Sequence, residues 1–424
     1  MLRLYITMIL SEWKYIFSRL KDTRVLENYS FMTALTVFSS LIGIIIYPYL
    51  IRVLGKEQMG LYVFLFAVVS YLQIVVDYGF DQPAAKATAE AADDKSILSS
   101  VLTRIRFAKL LNLILSVVIA LPFVLNITLL RENIRLVTII ALLLFVPVLF
   151  PVWYFQGTKN MKVVTYINLF CRLMQIPLVF IFIHSPAHIV RYALIVSLTT
   201  LSGAVAAAVY IWLQGLRPVR IRLSELASDY MDATPFFLTY LAGNVKEKVL
   251  TNFIGVAFGM GEVAIYDLAC KIIQVPRFFT QNINAALFPE VVARPDSGRI
   301  RLILRYEHII GFAIALSVSL IAYPAVLLLG GRDMIAAVPL TVILSLTIYT
   351  WLVTGAYLQF VFVPAGKYRF VAYNQLVALI TCFLFFALGY MLCKSVVVVA
   401  VAITLSGFCE ILFCRRLTHK FSMI

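Results

Sequence analysis

Apolar blocks of about 20 residues, each able to cross a hydrocarbon layer about 30 Å thick as a helix, recur along the whole of this 424-residue chain. Twelve are read, at 31–51, 60–80, 101–126, 133–152, 163–184, 189–213, 234–258, 263–289, 306–329, 335–363, 370–391 and 395–414. They are too long for membrane β-strands, which alternate over about ten residues, so the expected fold is all-α and polytopic. The composition agrees, with 62% of residues hydrophobic and 13% charged, where soluble domains carry about 25% charged residues. No connecting loop has room for a soluble catalytic module, which argues against an enzyme.

The basic residues set an orientation. One set of loops holds, among others, Arg19, Lys21, Lys86, Lys95, Arg104, Lys109, Arg217, Arg220, Arg222, Arg299, Arg301, Arg305, Arg415 and Arg416; the opposite loops hold only Arg52, Lys56, Arg131, Arg135, Arg191, Arg332 and Lys394. The richer side is expected to be cytoplasmic, which puts both termini there. The net charge of +15 is then a record of topology, and nucleic acid is not an expected partner. The basic rim also suits anionic membrane lipids. Residues 1–30 lack the charge order and small-residue ending of a signal peptide and are expected to form a basic segment lying in the interface.

An internal repeat divides the chain. Gly55-Lys-Glu-Gln-Met-Gly60-Leu-Tyr62 and Gly259-Met-Gly-Glu-Val-Ala264-Ile-Tyr266 share one spacing and stand six spans apart. This predicts an N-lobe over 31–214, an inter-lobe linker over 215–233 lying along the membrane surface, and a C-lobe over 234–424. Two such six-helix lobes around a central cavity are a transporter design, with the substrate between the repeats.

Charge inside the spans is the second strong signal. Lys246, Glu247 and Lys248 interrupt an apolar stretch from Phe236 to Phe258, and a lysine at a helix centre costs roughly 2.5–3.5 kcal/mol on insertion scales. Arg172 shares a helix face with Asn168, and Asp267 stands four residues before Lys271, a favourable order for pairing. Arg172, Lys246, Lys248 and Lys271 outnumber their acids, so a hydrated cavity that attracts anions is expected. Arg52 at the end of span 1 is a candidate gate residue and, with Asn168, a candidate substrate contact. Asp77, Glu247 and Asp267 are candidates for ion coupling. The four histidines are scattered, so neither a metal nor a cofactor is expected, and no phosphate-binding glycine loop supplies an ATP site.

Three stretches carry a family resemblance: Pro48-Tyr-Leu-Ile-Arg-Val-Leu-Gly55 through Gly60-Leu-Tyr62 to Asp77-Tyr-Gly-Phe80; Pro151-Val-Trp-Tyr-Phe-Gln-Gly157 with Tyr166-Ile-Asn168 and Arg172; and Ile265-Tyr266 with Ala269 and Lys271. They resemble the polysaccharide flippases, of O-antigen type, in the multidrug/oligosaccharidyl-lipid/polysaccharide exporter superfamily. The resemblance implies two six-helix bundles in the bacterial inner membrane and alternating-access flipping of undecaprenyl-pyrophosphate-linked oligosaccharides, alongside polysaccharide polymerase machinery. The anionic diphosphate of such a cargo makes Arg172, Lys246, Lys248 and Lys271 the candidates for its contact; Arg172 and Lys271 lie inside the stretches that carry the resemblance, whereas Lys246 and Lys248 rest on the charge argument alone. Two alternatives stand: a multidrug/cation antiporter of the same superfamily, which calls for a carboxylate-dominated cavity, and a membrane polymerase or ligase of sugar chains, which calls for a large periplasmic loop.

Overall fold

A computed structural model describes residues 23–91, 94–293 and 296–421. Most of the expected basic N-terminal segment, residues 1–22, lies outside the described residues. Among those described, the regular structure is helical and contains no strand. In chain order the helices are α1 Thr23–Asp77, α2 Asp81–Glu90, α3 Lys95–Asn126, α4 Thr128–Glu132, α5 Ile134–Ala141, α6 Val146–Leu149, α7 Val152–Gly157, α8 Met161–Phe182, α9 Ile189–Leu213, α10 Leu223–Phe258, α11 Met260–Ala293, α12 Ser297–Gly330, α13 Ala337–Ala356, α14 Tyr368–Leu392 and α15 Val397–Lys420.

Nine helical segments among the described residues are long and apolar enough to cross a membrane. A kink at Gly55 divides the first of them into two passes, and α10 and α11 are each long enough for one more, which gives the expected twelve. The fourth pass is a broken one: α5, a 3₁₀ turn at Leu142–Phe145 and α6 run on to Phe150 and Pro151, where the chain leaves helical geometry before α7. Pro147 and Pro151 account for the interruptions, since each removes a backbone donor.

The repeat is visible in the backbone. Gly55 has φ 77° and ψ 163°, and Gly259, between α10 and α11, has φ 96° and ψ 168°. That region of backbone space is open to glycine and strained for other residues, so each motif begins with a residue that only glycine supplies cheaply. The two motifs also touch. A Cβ on Gly60 would overlap the Met260 carbonyl and crowd the Ala264 amide, so the halves of the chain meet at their repeated segments with backbone against helix. The largest apolar core accordingly draws on both halves, with Leu50, Leu65, Leu250, Ile265, Leu268 and Ile348 all buried in it. Inside a bilayer such contacts are held by close packing.

Two connecting segments contain helix of their own. Within 81–100, Asp81–Glu90 is a helix packed under α7, where Gly157 leaves room for Thr88 and Ala85. The Trp-Tyr-Phe-Gln-Gly motif therefore buries Trp153 and Phe155 in a packing site. The 215–233 segment becomes helix at Leu223 and continues into α10 without a break. The 36 residues of α10 reach about 54 Å, longer than the membrane is thick. Its first turns dock on α3: Arg104 holds Asp229 at 2.8 Å and Glu225 at 3.1 Å, and Tyr230 donates to Asn112 Oδ1 at 2.8 Å.

Candidate functional site

Behind the seam between the two motifs lies a cavity of about 860 Å³, toward the upper end of the ~300–1,000 Å³ usual for ligand clefts. Its walls come from α1, the broken fourth pass, α8 to α11, α13 and α15. It runs along α1 from Met59 to Gln73 and along α11 from Tyr266 to Phe278, about 20 Å by helical rise.

Three cations converge at one depth. Arg172 lies ten residues from the end of α8 at Phe182, Lys248 ten from the end of α10 at Phe258, and Lys271 eleven from the start of α11 at Met260. Those ends are on the same side of the molecule, because the Tyr49 hydroxyl, six residues before Gly55, donates to the Ile183 carbonyl just past α8. At 1.5 Å per residue the three charges stand about 15 Å in, which is the middle of a hydrocarbon layer about 30 Å thick.

Each charge has a different environment. Arg172 Nη1 donates to Gln175 Oε1 at 3.3 Å, and Gln175 Nε2 in turn donates to Thr199 at 2.8 Å. The buried amide is thereby fixed with its oxygen toward the guanidinium, which steers Arg172 and leaves its charge unbalanced. Lys248 Nζ lies 5.7 Å from the centre of the Phe66 ring, within cation–π range. Lys271 pairs with Asp267 at 3.4 Å and also sits 5.2 Å above the Tyr47 ring. Glu247 of α10 reaches Arg277 of α11 at 3.7 Å. The Arg277 guanidinium lies against the Trp351 ring.

Among the described residues, then, the lining holds four cations, Arg172, Lys248, Lys271 and Arg277, and two carboxylates, Glu247 and Asp267. Both carboxylates are engaged by cations, and neither Arg172 nor Lys248 has an acidic partner within salt-bridge distance among the described residues. Aromatic side chains fill much of the remaining wall: Tyr47, Tyr62, Phe66, Tyr192, Tyr266 and Trp351. The result is a chamber with flat apolar faces, phenolic hydroxyls and an excess of positive charge at its middle.

The other residues singled out by sequence lie elsewhere. Lys246 is absent from the cavity wall and lies within electrostatic range of Glu410 on α15. Neighbouring helical positions are 100° apart, so residues 246 and 248 face nearly opposite ways. Asn168, one turn from Arg172, is exposed and outside the wall. Asp77 is bound at 2.9 Å by Lys109, which also takes Asp81 at 2.8 Å; Lys109 is only 3% exposed although its position had suggested a loop cation. Arg52 stands at the seam, where its Nη2 donates to the Leu328 carbonyl at 2.9 Å and so ties α1 to α12.

Arg277 and Trp351 were not singled out from sequence. Arg277 carried a usable signal, because Asp267, Cys270, Lys271, Gln274 and Phe278 run at helical spacing and residue 277 falls at the edge of that stripe. Trp351 carried none, since a tryptophan in an apolar span reads as packing.

Comparison with known proteins places the site in context. The family model described as polysaccharide biosynthesis protein matches residues 25–292. A putative O-antigen transporter of Escherichia coli (strain K12) is 27% identical over 281 residues, covering 65% of this chain and 66% of that protein. A putative O-antigen transporter of Shigella dysenteriae is 26% identical over 252 residues, covering 58% and 62%. The matched regions thus span just under two thirds of the length of these relatives. Among solved structures, the lipid II flippase MurJ in an inward closed conformation aligns with a TM-score of 0.71 at 11% identity, over 92% of this chain and 87% of that one. An inward-facing multidrug resistance MATE family transporter of the MOP superfamily aligns with a TM-score of 0.63 at 16% identity, over 90% and 99%. At these identities the structural likeness speaks to the fold.

Proposed function

This chain belongs to the polysaccharide biosynthesis protein family, and from that premise we propose that it is a flippase for an undecaprenyl-pyrophosphate-linked oligosaccharide in the bacterial inner membrane. Its diphosphate binds between Arg172 and Lys248, with Lys271 and Arg277 alongside. The sugar rings lie against the aromatic wall, where tyrosines offer both a flat face and a hydroxyl. The prenyl chain stays in the bilayer. The lobes over 31–214 and 234–424 rock about the 215–233 connection, closing one end of the cavity as the other opens. Both termini face the cytoplasm, and the product is passed to polysaccharide polymerase machinery on the far side.

The observation that carries this reading is the pair of cations at mid-membrane depth, Arg172 and Lys248, with no acidic partner within salt-bridge distance among the described residues. Unbalanced charge at that depth is costly, and an anionic headgroup is the ligand that relieves the cost. The antiporter alternative needs a carboxylate free to take up a cation or proton. Here Asp267 and Glu247 both face cations, at 3.4 and 3.7 Å, so the anion reading is preferred. In an ion-gradient-driven cycle those two pairs, and Asp77 with Lys109, are the places where an entering proton or sodium ion would compete.

Proteoliposomes holding a fluorescent lipid-linked oligosaccharide in one leaflet test the proposal. The intact protein is expected to make the label accessible from the other side, and a tetraphenylphosphonium-type cation is expected not to compete. Absence of flipping with retained cation-stimulated proton movement would transfer the assignment to the antiporter class.

A further inference from the structure

A second, smaller groove opens on the lipid-facing surface, away from the transport cavity. It encloses about 330 Å³ and is lined by His308 and Phe312 of α12, Leu346 and Tyr349 of α13, and Phe408 of α15. Its floor is fixed by the bond between His308 Nδ1 and the Tyr349 hydroxyl at 2.8 Å. Two apolar stripes flank it at helical spacing: Ile309, Phe312, Leu316 and Leu320 on α12, and Val401, Leu405, Phe408 and Leu412 on α15, all exposed. In a bilayer both stripes face acyl chains.

The groove is graded along its length. The polar pair His308 and Tyr349 is at the end where α12 starts and α15 finishes, and Phe312, Leu346 and Phe408 lie deeper. Arg415 stands seven residues beyond Phe408 on α15, about 10 Å toward that end, and lies within Coulombic reach of both His308 and Tyr357. Arg305, Arg415 and Arg416 are exposed there, whereas the nearby acids Glu307 and Glu410 are buried. The surface is therefore apolar toward the membrane middle and positive at its edge, the profile of an anionic amphiphile.

We propose that this groove binds an anionic glycerophospholipid of the bilayer, with one acyl chain between the α12 and α15 stripes and the phosphate at Arg415. The inference is independent of the transport reading, because none of the five lining residues belongs to the cavity.

The test places a reporter in the groove of the full chain as F408W and reads quenching by phosphatidylglycerol or phosphatidylethanolamine brominated on the acyl chain, after subtraction of the four native tryptophans. One basic side chain at the surface adds about 1 kcal/mol to anionic lipid binding, which corresponds to about a fivefold preference for phosphatidylglycerol. R415Q is expected to erase the preference, while R416Q, 100° away on the same helix, leaves it in place. Equal quenching by the two lipids overturns the proposal, as does equal loss in R415Q and R416Q. If one equivalent of undecaprenyl diphosphate removes the excess quenching, the groove holds the cargo's tail and the proposal also fails.

Discussion

The Gly261 amide donates to the Glu57 carboxylate at 3.0 Å, and the two residues hold equivalent places, each second after the left-handed glycine of its repeat. Contact between equivalent positions marks where a pseudo-two-fold axis passes between the halves. Around it, Gly60 presses on Met260 and Arg52 reaches Leu328. The seam is thus closed by one charge-assisted bond at the start of α11, one guanidinium bond and one glycine-sized gap.

Widening that gap should break the seam. In G60V the added side chain meets the Met260 carbonyl, and in E57A a bond worth about 1.5–3 kcal/mol is lost. Both variants are expected to raise the labelling rate of a reporter M59C, which is buried on the cavity wall beside the seam, by an impermeant maleimide, with the six native cysteines replaced. Unchanged labelling in both would mean that this seam does not hold the cavity shut.

Removal of Lys109 should be costly to the fold. Its ammonium is buried between Asp77 and Asp81, and taking away one partner of a buried ion pair costs about 3 kcal/mol or more. K109M is expected to lower the melting temperature in detergent by several degrees. D81N is expected to lower it less, because Asp81 is half exposed.

Asp267 and Lys271 should behave as a unit. K271M leaves Asp267, only 16% exposed, facing the cavity without its cation. The double variant D267N/K271M is expected to recover about 1 kcal/mol of stability relative to the sum of the single changes. Strict additivity in thermal melts would show that the 3.4 Å contact carries no coupling.

Trp351 should report on the sugar end of the cargo. Its ring is part of the cavity wall, so W351A removes a flat face against which a sugar ring can lie. Flipping of a glycosylated lipid diphosphate is expected to slow about tenfold, and flipping of the bare lipid diphosphate much less. Equal slowing of the two would assign Trp351 to the headgroup phosphates or to the fold.

Much of this architecture was legible before any coordinates. The apolar blocks had to be helices because a bilayer leaves backbone groups no other partner. Gly55 and Gly259 marked the repeat because their backbone angles favour glycine over any other residue. The opposite facing of Lys246 and Lys248 was also available from helical geometry. Other facts depend on which helices meet. Nothing local to Glu247 identifies Arg277 as its partner, and nothing local to Lys109 shows that α1 and α2 will enclose it. The continuity of residues 223–233 with α10 was hidden because they read as part of the surface linker over 215–233, while the helix begins at Leu223.

The central claim is that mid-membrane cations hold a diphosphate. The direct measurement is the flipping rate, in one proteoliposome system, of a glycan on polyprenyl diphosphate and of the same glycan on polyprenyl monophosphate. The intact chain is predicted to favour the diphosphate by about tenfold or more, R172Q/K248Q to lose that preference, and K246Q to keep it. Equal rates for the two headgroups in the intact chain, or a preference undiminished in R172Q/K248Q, would contradict the account.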